Sequence, residues 1–207
     1  CNKVAVSEWI IAMILNLSRN LPKYIRNTNL PKGKFPDSEK GLKDKKITIL
    51  GKGNIGSRVG KICESLEMNV SFFRRGDNLI DSVKDADVIV NVLSSNPTTQ
   101  GLLDKKFFSS LKKGSYFITV TGSSICDIDV MIDALDKDIL AGVAHDSGGI
   151  QIGDVQDPFY KKLLAHPKIL VTPHVSFNTD VTNRTGNDMM IDNVEAWLKG
   201  KPINLVE

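Results

Sequence analysis

The chain has 207 residues, room for one large domain or for one domain with appendages, and its 41% hydrophobic and 25% charged residues are the balance of a folded globular protein. A net charge of +3 is too small to point to a nucleic-acid partner. Its three cysteines, Cys1, Cys63 and Cys126, form no C-x-x-C pair, which argues against a disulfide framework or a zinc site and suits a reducing, cytoplasmic compartment.

The first residue is not Met, and the chain opens almost inside a helix. The apolar run Ile10 to Leu15 is too short to span a bilayer, and Glu8 and Trp9 before it do not make a signal-peptide n-region. Ser7 reads as the N-cap of a helix running to about Asn20, with Pro22 as its stop. That helix is apolar on more than one face, so it is expected in a core or a subunit interface, and a homodimer built on a two-fold contact follows. The chain is expected to be a fragment of a longer protein. From Leu30 to Lys46 it carries Pro31, Gly33, Pro36 and Gly41 among lysines and reads as a surface connection.

The organising stretch comes next. Ile47 to Leu50 reads as a buried strand, Gly51-Lys52-Gly53-Asn54-Ile55-Gly56 as a G-x-G-x-x-G turn, and Ile55, Val59, Ile62 and Leu66 as one stripe of a helix. Strand, glycine turn and helix together match the dinucleotide-binding fingerprint. Gly51 permits the tight turn, Gly53 lets a pyrophosphate approach the backbone, and Gly56 lets the helix pack against the strand. The helix start offers free N–H groups and a positive dipole end to phosphates.

A second strand, Asn69 to Phe73, ends in Arg74-Arg75-Gly76-Asp77. The fingerprint places an acid about 20 residues after the glycines to bind the adenosine ribose; Arg74 stands there, followed by Arg75. An acid repels a 2′-phosphate and a guanidinium pairs with it, so NADP is expected over NAD. The competing reading is a solvated basic turn with Asp77 as a displaced acid. Further elements follow in order. They are a short helix from Leu79 to Lys84, a strand from Asp87 to Val92, a helix from Asp104 to Leu111, a strand from Tyr116 to Val120 and a helix from Asp127 to Leu135. Then come a strand from Ile139 to Ala144, a glycine-rich loop after His145-Asp146, a helix from Phe159 to Ala165, a strand from Lys168 to Val171 and a helix from Asp180 to Leu198. Strands alternating with helices mean an α/β fold, a doubly wound parallel sheet of the Rossmann type.

The ordered series of motifs resembles the D-isomer-specific 2-hydroxyacid dehydrogenases. The residues that carry the likeness are the helix from Val6-Ser7-Glu8-Trp9 onward, Leu50 to Gly56, Asp87 to Val90 followed by Pro97-Thr98-Thr99-Gln100-Gly101, and Leu140 to Asp146. Leu170-Val171-Thr172-Pro173-His174 and Asn193 to Pro202 complete it. The resemblance implies three parts. Residues 1–30 are an interdomain and dimerisation helix with the start of the cofactor domain, 31–174 the dinucleotide-binding domain, and 175–207 a helix returning to a substrate domain that is largely absent. It implies cofactor contacts at Gly51, Gly53, Asn54, Ile55, Gly56, Arg74, Arg75, Ser94, Thr99, Thr121, Asp146, His174 and Ser176. The implied activity is hydride transfer between a nicotinamide and a 2-hydroxy or 2-oxo acid. Neither nucleic acid nor membrane is implied as a partner.

The family's chemistry uses a histidine, an acid that orients it, and an arginine that binds the substrate carboxylate. His174 in Thr-Pro-His matches the histidine, and it also follows a strand where ligands gather in open α/β sheets. His166 reads as a solvated loop residue and His145 as structural. The acid position falls on Gln151, an amide that formate dehydrogenases of the family also carry; Asp154 or Asp157 become candidates if the register shifts. The arginine is missing. The family's Asn-x-x-Arg-Gly run reads Thr119-Val120-Thr121-Gly122-Ser123 here, and no arginine occurs between Arg75 and Arg184. Lys112 and Lys113 are expected at the far end of that strand. Three functions follow from this: an atypical oxidoreductase, a degenerate relative that binds a dinucleotide in a regulatory or structural role, or another Rossmann enzyme that reduces imines or sugar acids. The Thr-Pro-His and Ala-His-Asp stretches speak against the third.

Overall fold

The computed structural model describes residues 2–26, 40–147 and 150–205. In chain order the elements are α1 (Lys3–Ser18), α2 (Leu21–Arg26), β1 (Lys46–Leu50), α3 (Asn54–Ser65), β2 (Asn69–Phe73), α4 (Leu79–Val83) and β3 (Val88–Asn91). They continue as α5 (Lys105–Ser109), β4 (Ser115–Thr119), α6 (Ile128–Asp136), β5 (Leu140–His145), α7 (Pro158–Leu164), β6 (Ile169–Val171) and α8 (Asp180–Leu198). All six strands are parallel, in the order β2-β1-β3-β4-β5-β6. The strand order reverses between β1 and β3, the switch point where such sheets open a crevice.

Helices cover both faces, which is why the central strands β3 and β4 are buried throughout while the edge strand β2 is not. On one face Val6, Ile10 and Ile14 of α1 and Val59 and Cys63 of α3 pack on Ile47, Ile49, Val88, Val90 and Ile118. On the other, Val83, Phe107, Phe108, Met131 and Leu163 from α4 to α7 pack on Ile89, Phe117 and Val143. Phe107, Phe108 and Phe117 meet edge to face at 5.0–6.2 Å between ring centroids, the arrangement the aromatic quadrupole prefers. Local sequence sets the helix starts: Asn78, Asp104, Asp127, Asp157 and Thr179 each accept a first-turn N–H.

Helix α1 departs from expectation at both ends. It begins at Lys3 after Asn2, and Ser7 is no cap but a buried second-turn residue whose hydroxyl donates to the Lys3 carbonyl at 2.5 Å. A helical serine can satisfy itself this way, and burial of Ala5 and Val6 extends the helix past it. Nor does Pro22 end the helical region. It is the second residue of α2, where a missing N–H costs nothing. His166 is half-buried rather than solvated: its Nε2 lies 3.3 Å from Asp136 Oδ1 and its Nδ1 accepts the Lys168 N–H at 3.2 Å. Most of the expected surface connection, residues 27–39, and the glycines at 148 and 149 lie outside the described residues. Among the described residues no helix is long and apolar enough to cross a membrane.

Candidate functional site

Every strand of the sheet ends on one register row. Phe73 pairs with Leu50, Leu50 with Asn91, Asn91 with Thr119, Thr119 with His145, and His145 with Val171. The segments that leave this row therefore emerge side by side at the carboxyl edge. They carry Arg74 and Arg75, Gly51 to Gly56, Ser94 to Thr99, Thr121 and Gly122, Asp146, and Pro173-His174. Residues far apart in sequence are thus brought to one edge.

The glycine turn is built for close approach. A Cβ on Gly56 would sit 2.0 Å from the Gly51 carbonyl oxygen, and Gly51 itself has φ +106°. Gly53 has nothing within 4 Å of where its Cβ would be, so the space beside it is open. It is the N-cap of α3, which has no side-chain cap and no acid in its first turn. The N–H groups of Asn54, Ile55 and Gly56 have no acceptor among the described residues. Open space, free donors and a helix dipole fit a pyrophosphate. A crevice of 540 Å³ continues from there, lined by Gly51, Gly53, Phe73, Arg75, Val92 and Thr99 among others. Ser94 also lines it, and its carbonyl accepts the Thr99 hydroxyl at 2.7 Å, which closes the loop after β3. Asp77 accepts the Arg74 N–H at 2.7 Å. A cavity of 570 Å³ at the opposite, amino edge, lined by Leu17, Tyr116, Gly142 and Lys168, contains none of the candidate residues.

Asp146 governs the other half of the site. It is only 1% exposed. One carboxylate oxygen accepts the Thr172 hydroxyl at 2.5 Å and the Val175 N–H at 2.9 Å; the other accepts the Ser176 N–H at 2.9 Å. These three bonds fix the loop that carries His174. Ser176, placed among the cofactor contacts by sequence, is buried and presents its N–H to Asp146.

His174 sits in the left-handed region at φ +56°, a conformation that needs such support. Its ring stands edge-on to Phe177 at 5.7 Å, and Nδ1 lies 3.2 Å from the Ile150 carbonyl oxygen. A carbonyl only accepts, so Nδ1 carries the proton in that bond, which leaves Nε2 as the ring nitrogen that faces a ligand. The Gly153 N–H donates to the Pro173 carbonyl at 2.8 Å and ties the same strap down on the other side. Gln151 is exposed, and among the described residues its side chain makes no bond to the ring; the orienting acceptor is the backbone carbonyl one residue earlier. Asp154 holds the N–H groups of Gln156 and Asp157, and Asp157 caps α7, so both alternative acids have structural partners. Lys112 pairs with Asp87 at 2.7 Å at the amino end of β3, away from Gly122.

Two residues of the site had no signal beyond polarity at the end of an apolar strand. Asn91 and Thr119 are fully buried. Asn91 Nδ2 donates to Thr119 Oγ1 at 3.1 Å and to Thr121 Oγ1 at 2.7 Å, tying the loops after β3 and β4 together. His145 is next in the row. Its Nδ1 accepts the Ser147 N–H at 2.7 Å, its ring meets Phe159 at 5.6 Å, and its buried Nε2 has no partner among the described residues.

Burial pushes the His145 imidazole down to about 4. An unfolded histidine takes its proton near 6.5, so below that pH the unfolded chain binds more protons and stability falls toward pH 4; above it the contribution is complete. From about pH 8 down to pH 5 the loss from this one group is about 2 kcal/mol. Urea unfolding across that window is expected to show a shallower pH dependence for His145→Gln than for wild type. Equal slopes would remove His145 as the cause.

The family model "D-isomer specific 2-hydroxyacid dehydrogenase, NAD binding domain" matches residues 11–176. D-3-phosphoglycerate dehydrogenase of Escherichia coli K12 is 30% identical over 192 residues, which cover 86% of this chain and 46% of that protein. D-lactate dehydrogenase of Staphylococcus aureus MRSA252 is 25% identical over 197 residues, covering 84% of this chain and 60% of that one. The chain thus spans about half the length of the curated relatives it matches. Among solved structures, D-lactate dehydrogenase with NAD+ from Lactobacillus jensenii superposes with a TM-score of 0.88 at 23% identity, covering 99% of this chain and 68% of that one. With a family model spanning its strands and both halves of its crevice, the chain belongs to the D-isomer-specific 2-hydroxyacid dehydrogenase family and contains its NAD-binding domain.

Proposed function

We propose that this chain is the cofactor domain of an NAD(P)-dependent oxidoreductase of the 2-hydroxy/2-oxo acid class, atypical because it lacks the carboxylate-binding arginine. The observation that carries the reading is the loop of His174. Asp146 and the Ile150 carbonyl hold that imidazole at the carboxyl edge with Nε2 left for a ligand. The glycine turn and α3 would hold the pyrophosphate of a nicotinamide dinucleotide, which supplies the hydride. In this assignment His174 exchanges the proton of the substrate hydroxyl, and the residues around it fix one tautomer. Oxidation of NAD(P)H by the full-length protein with a panel of 2-oxo acids tests the proposal. Dinucleotide binding without turnover of any member would instead favour the second reading, a dinucleotide-binding protein with a regulatory or structural role, which Gly122 also supports. Cytoplasmic location belongs to the same proposal and rests on Cys63 and Cys126, both free and buried.

The rest of the architecture is proposed on similar grounds. Helix α8 has only Thr182 buried, while Met190, Val194, Trp197 and Leu198 share one exposed apolar face. The substrate domain of the whole protein is the proposed cover for that face. A homodimer is proposed through α1, whose outer side keeps Leu15 exposed and Trp9, Ile11 and Met13 only half-buried.

The cofactor is proposed to be NADP(H) in preference to NAD(H). Arg75 lines the crevice, Arg74 precedes it, and Lys52 lies over the Phe72 ring at 4.8 Å beside the same strand end. Asp77, the alternative ribose acid, is folded back on the Arg74 N–H. The family description and the NAD+ in the L. jensenii enzyme speak for NAD; the basic side chains of this chain speak for a 2′-phosphate. Charged hydrogen bonds of 1.5–3 kcal/mol correspond to roughly 10- to 100-fold in affinity. Titration is expected to show NADP+ binding tighter than NAD+, with Arg74→Ala/Arg75→Ala weakening NADP+ on that scale and leaving NAD+ little changed. Tighter binding of NAD+ by the wild type would overturn the preference.

A further inference from the structure

Three polar side chains at the ends of β3 and β4 form a closed set, and counting their hydrogens fixes what the outermost one offers. Asn91 Oδ1 accepts the Leu93 N–H at 3.2 Å. That bond sets the amide orientation, because the flipped amide would turn its NH2 against the same N–H. Both Nδ2 hydrogens are therefore directed at hydroxyls, one at Thr119 Oγ1 and one at Thr121 Oγ1. Thr119 Oγ1 also accepts the Thr121 N–H at 3.3 Å, so both its lone pairs are occupied. Thr119 is fully buried, and its own hydrogen needs an acceptor. Among the described residues the oxygen within reach is Thr121 Oγ1, at 3.1 Å. Thr121 Oγ1 then accepts twice, from Asn91 and from Thr119. Its remaining hydrogen has no acceptor among the described residues, and Thr121 is partly exposed.

We infer that Thr121 is a donor-only hydroxyl that binds a carbonyl or carboxylate oxygen of the ligand seated at the ends of β3 and β4, with Asn91 and Thr119 as the residues that orient it. The inference rests on the proposed reading that this edge takes a nicotinamide dinucleotide and a 2-oxo acid. Two oxygens have the required chemistry, the carboxamide oxygen of the nicotinamide and an oxygen of the substrate. Thr121 directly precedes Gly122, so a neutral hydroxyl donor stands beside the place of the missing guanidinium. Such a donor can bond an uncharged oxygen as well as a charged one, without the ion pairing that a guanidinium adds. It also rejects a ligand group that itself needs an acceptor, because both lone pairs of Thr121 are occupied.

The test uses Thr121→Val and Thr121→Ser in the full-length protein. Affinities are measured for NADP+, for its nicotinamide-free fragment 2′-phospho-ADP-ribose, and for oxalate in the presence of NADP+, together with KM and kcat for 2-oxo acids. Thr121→Val is expected to weaken one contact about tenfold, the scale of one hydrogen bond, and Thr121→Ser to restore it. If NADP+ weakens and the fragment does not, the acceptor is the nicotinamide carboxamide. If NADP+ is unchanged while oxalate affinity falls and KM rises, the acceptor is the substrate. The inference is overturned if neither changes, if NADP+ and its fragment weaken equally, or if serine fails to restore what valine removes. Should Thr121→Val not fold, Thr121→Cys, a poorer donor of similar size, is expected to give the same pattern with a smaller change. A wild-type protein that binds neither NADP+ nor NAD+ overturns the underlying reading itself, and does so before any variant is compared.

Discussion

Pyruvate, glyoxylate and hydroxypyruvate are expected to be reduced 100-fold or more below the rate that an intact carboxylate clamp would allow. The reason is Gly122. A charged contact to a carboxylate contributes about 1.5–3 kcal/mol, and its loss also removes positioning and polarisation of the reacting carbonyl. Lys162, which lines a pocket with Ser123 and Ser124, is already paired with Asp129. Lys112 is paired with Asp87 at the other edge, and the polar groups beside Gly122 are the hydroxyls of Thr121 and Ser123. Gly122 is not held at positive φ, so its backbone admits a side chain. Gly122→Arg is therefore expected to fold and to raise turnover of these small acids. The measurement is steady-state NAD(P)H oxidation by the full-length protein and its variant. Wild-type rates already comparable to those of active family members would show that a cation reaches the site from sequence outside this chain.

Removing the Asp146 carboxylate is expected to cost stability and function together. In Asp146→Ala the Thr172 hydroxyl and the N–H groups of Val175 and Ser176 all lose their acceptor in a buried setting. A single hydrogen bond to a charged group contributes about 1.5–3 kcal/mol, so a loss of about 3 kcal/mol or more is expected, equivalent to roughly 6–12 °C in Tm for a domain of this size. The loop these bonds hold carries His174 in its left-handed conformation, and a displacement of about 1 Å there is enough for a 100-fold loss of turnover. Asp146→Asn keeps the shape but turns an NH2 toward at least one donor, and an intermediate loss is expected. Thermal unfolding and turnover, measured on both variants, decide the matter. A normal Tm in Asp146→Ala would mean that the loop is held by its other contacts, such as the bond between Gly153 and Pro173.

Asp146 also shows where the sequence stops being informative. From the sequence it reads as a residue that faces the cofactor. Its actual hydrogen-bond partners lie 26 to 30 positions further on, and nothing local reveals them. The elements themselves were legible because their causes are local. The glycine turn needs residues without side chains at 51 and 56, Asp104, Asp127 and Asp157 cap the helices they precede, and the apolar strands alternate with helices at short spacing. Gly122 stands out in the sequence too, as a departure from an otherwise matching series.

Ser7 shows the reverse error. A local capping rule picked it, but the burial of Ala5 and Val6 against the sheet and α3 carries the helix past it to Lys3. The described contact to the His174 ring was not legible for a related reason. A side chain at Gln151 was sought, and the fold supplies the Ile150 carbonyl, an atom every residue type possesses and no sequence can flag. By itself the sequence determined the parallel α/β fold and the glycine turn, and it showed two arginines after the second strand and no arginine between Arg75 and Arg184. The tertiary structure alone decided which polar groups are consumed in holding the site and which are left for a ligand. A hydrogen bond is allotted only once strands distant in the chain end on one row, as Asn91, Thr119 and Thr121 do here.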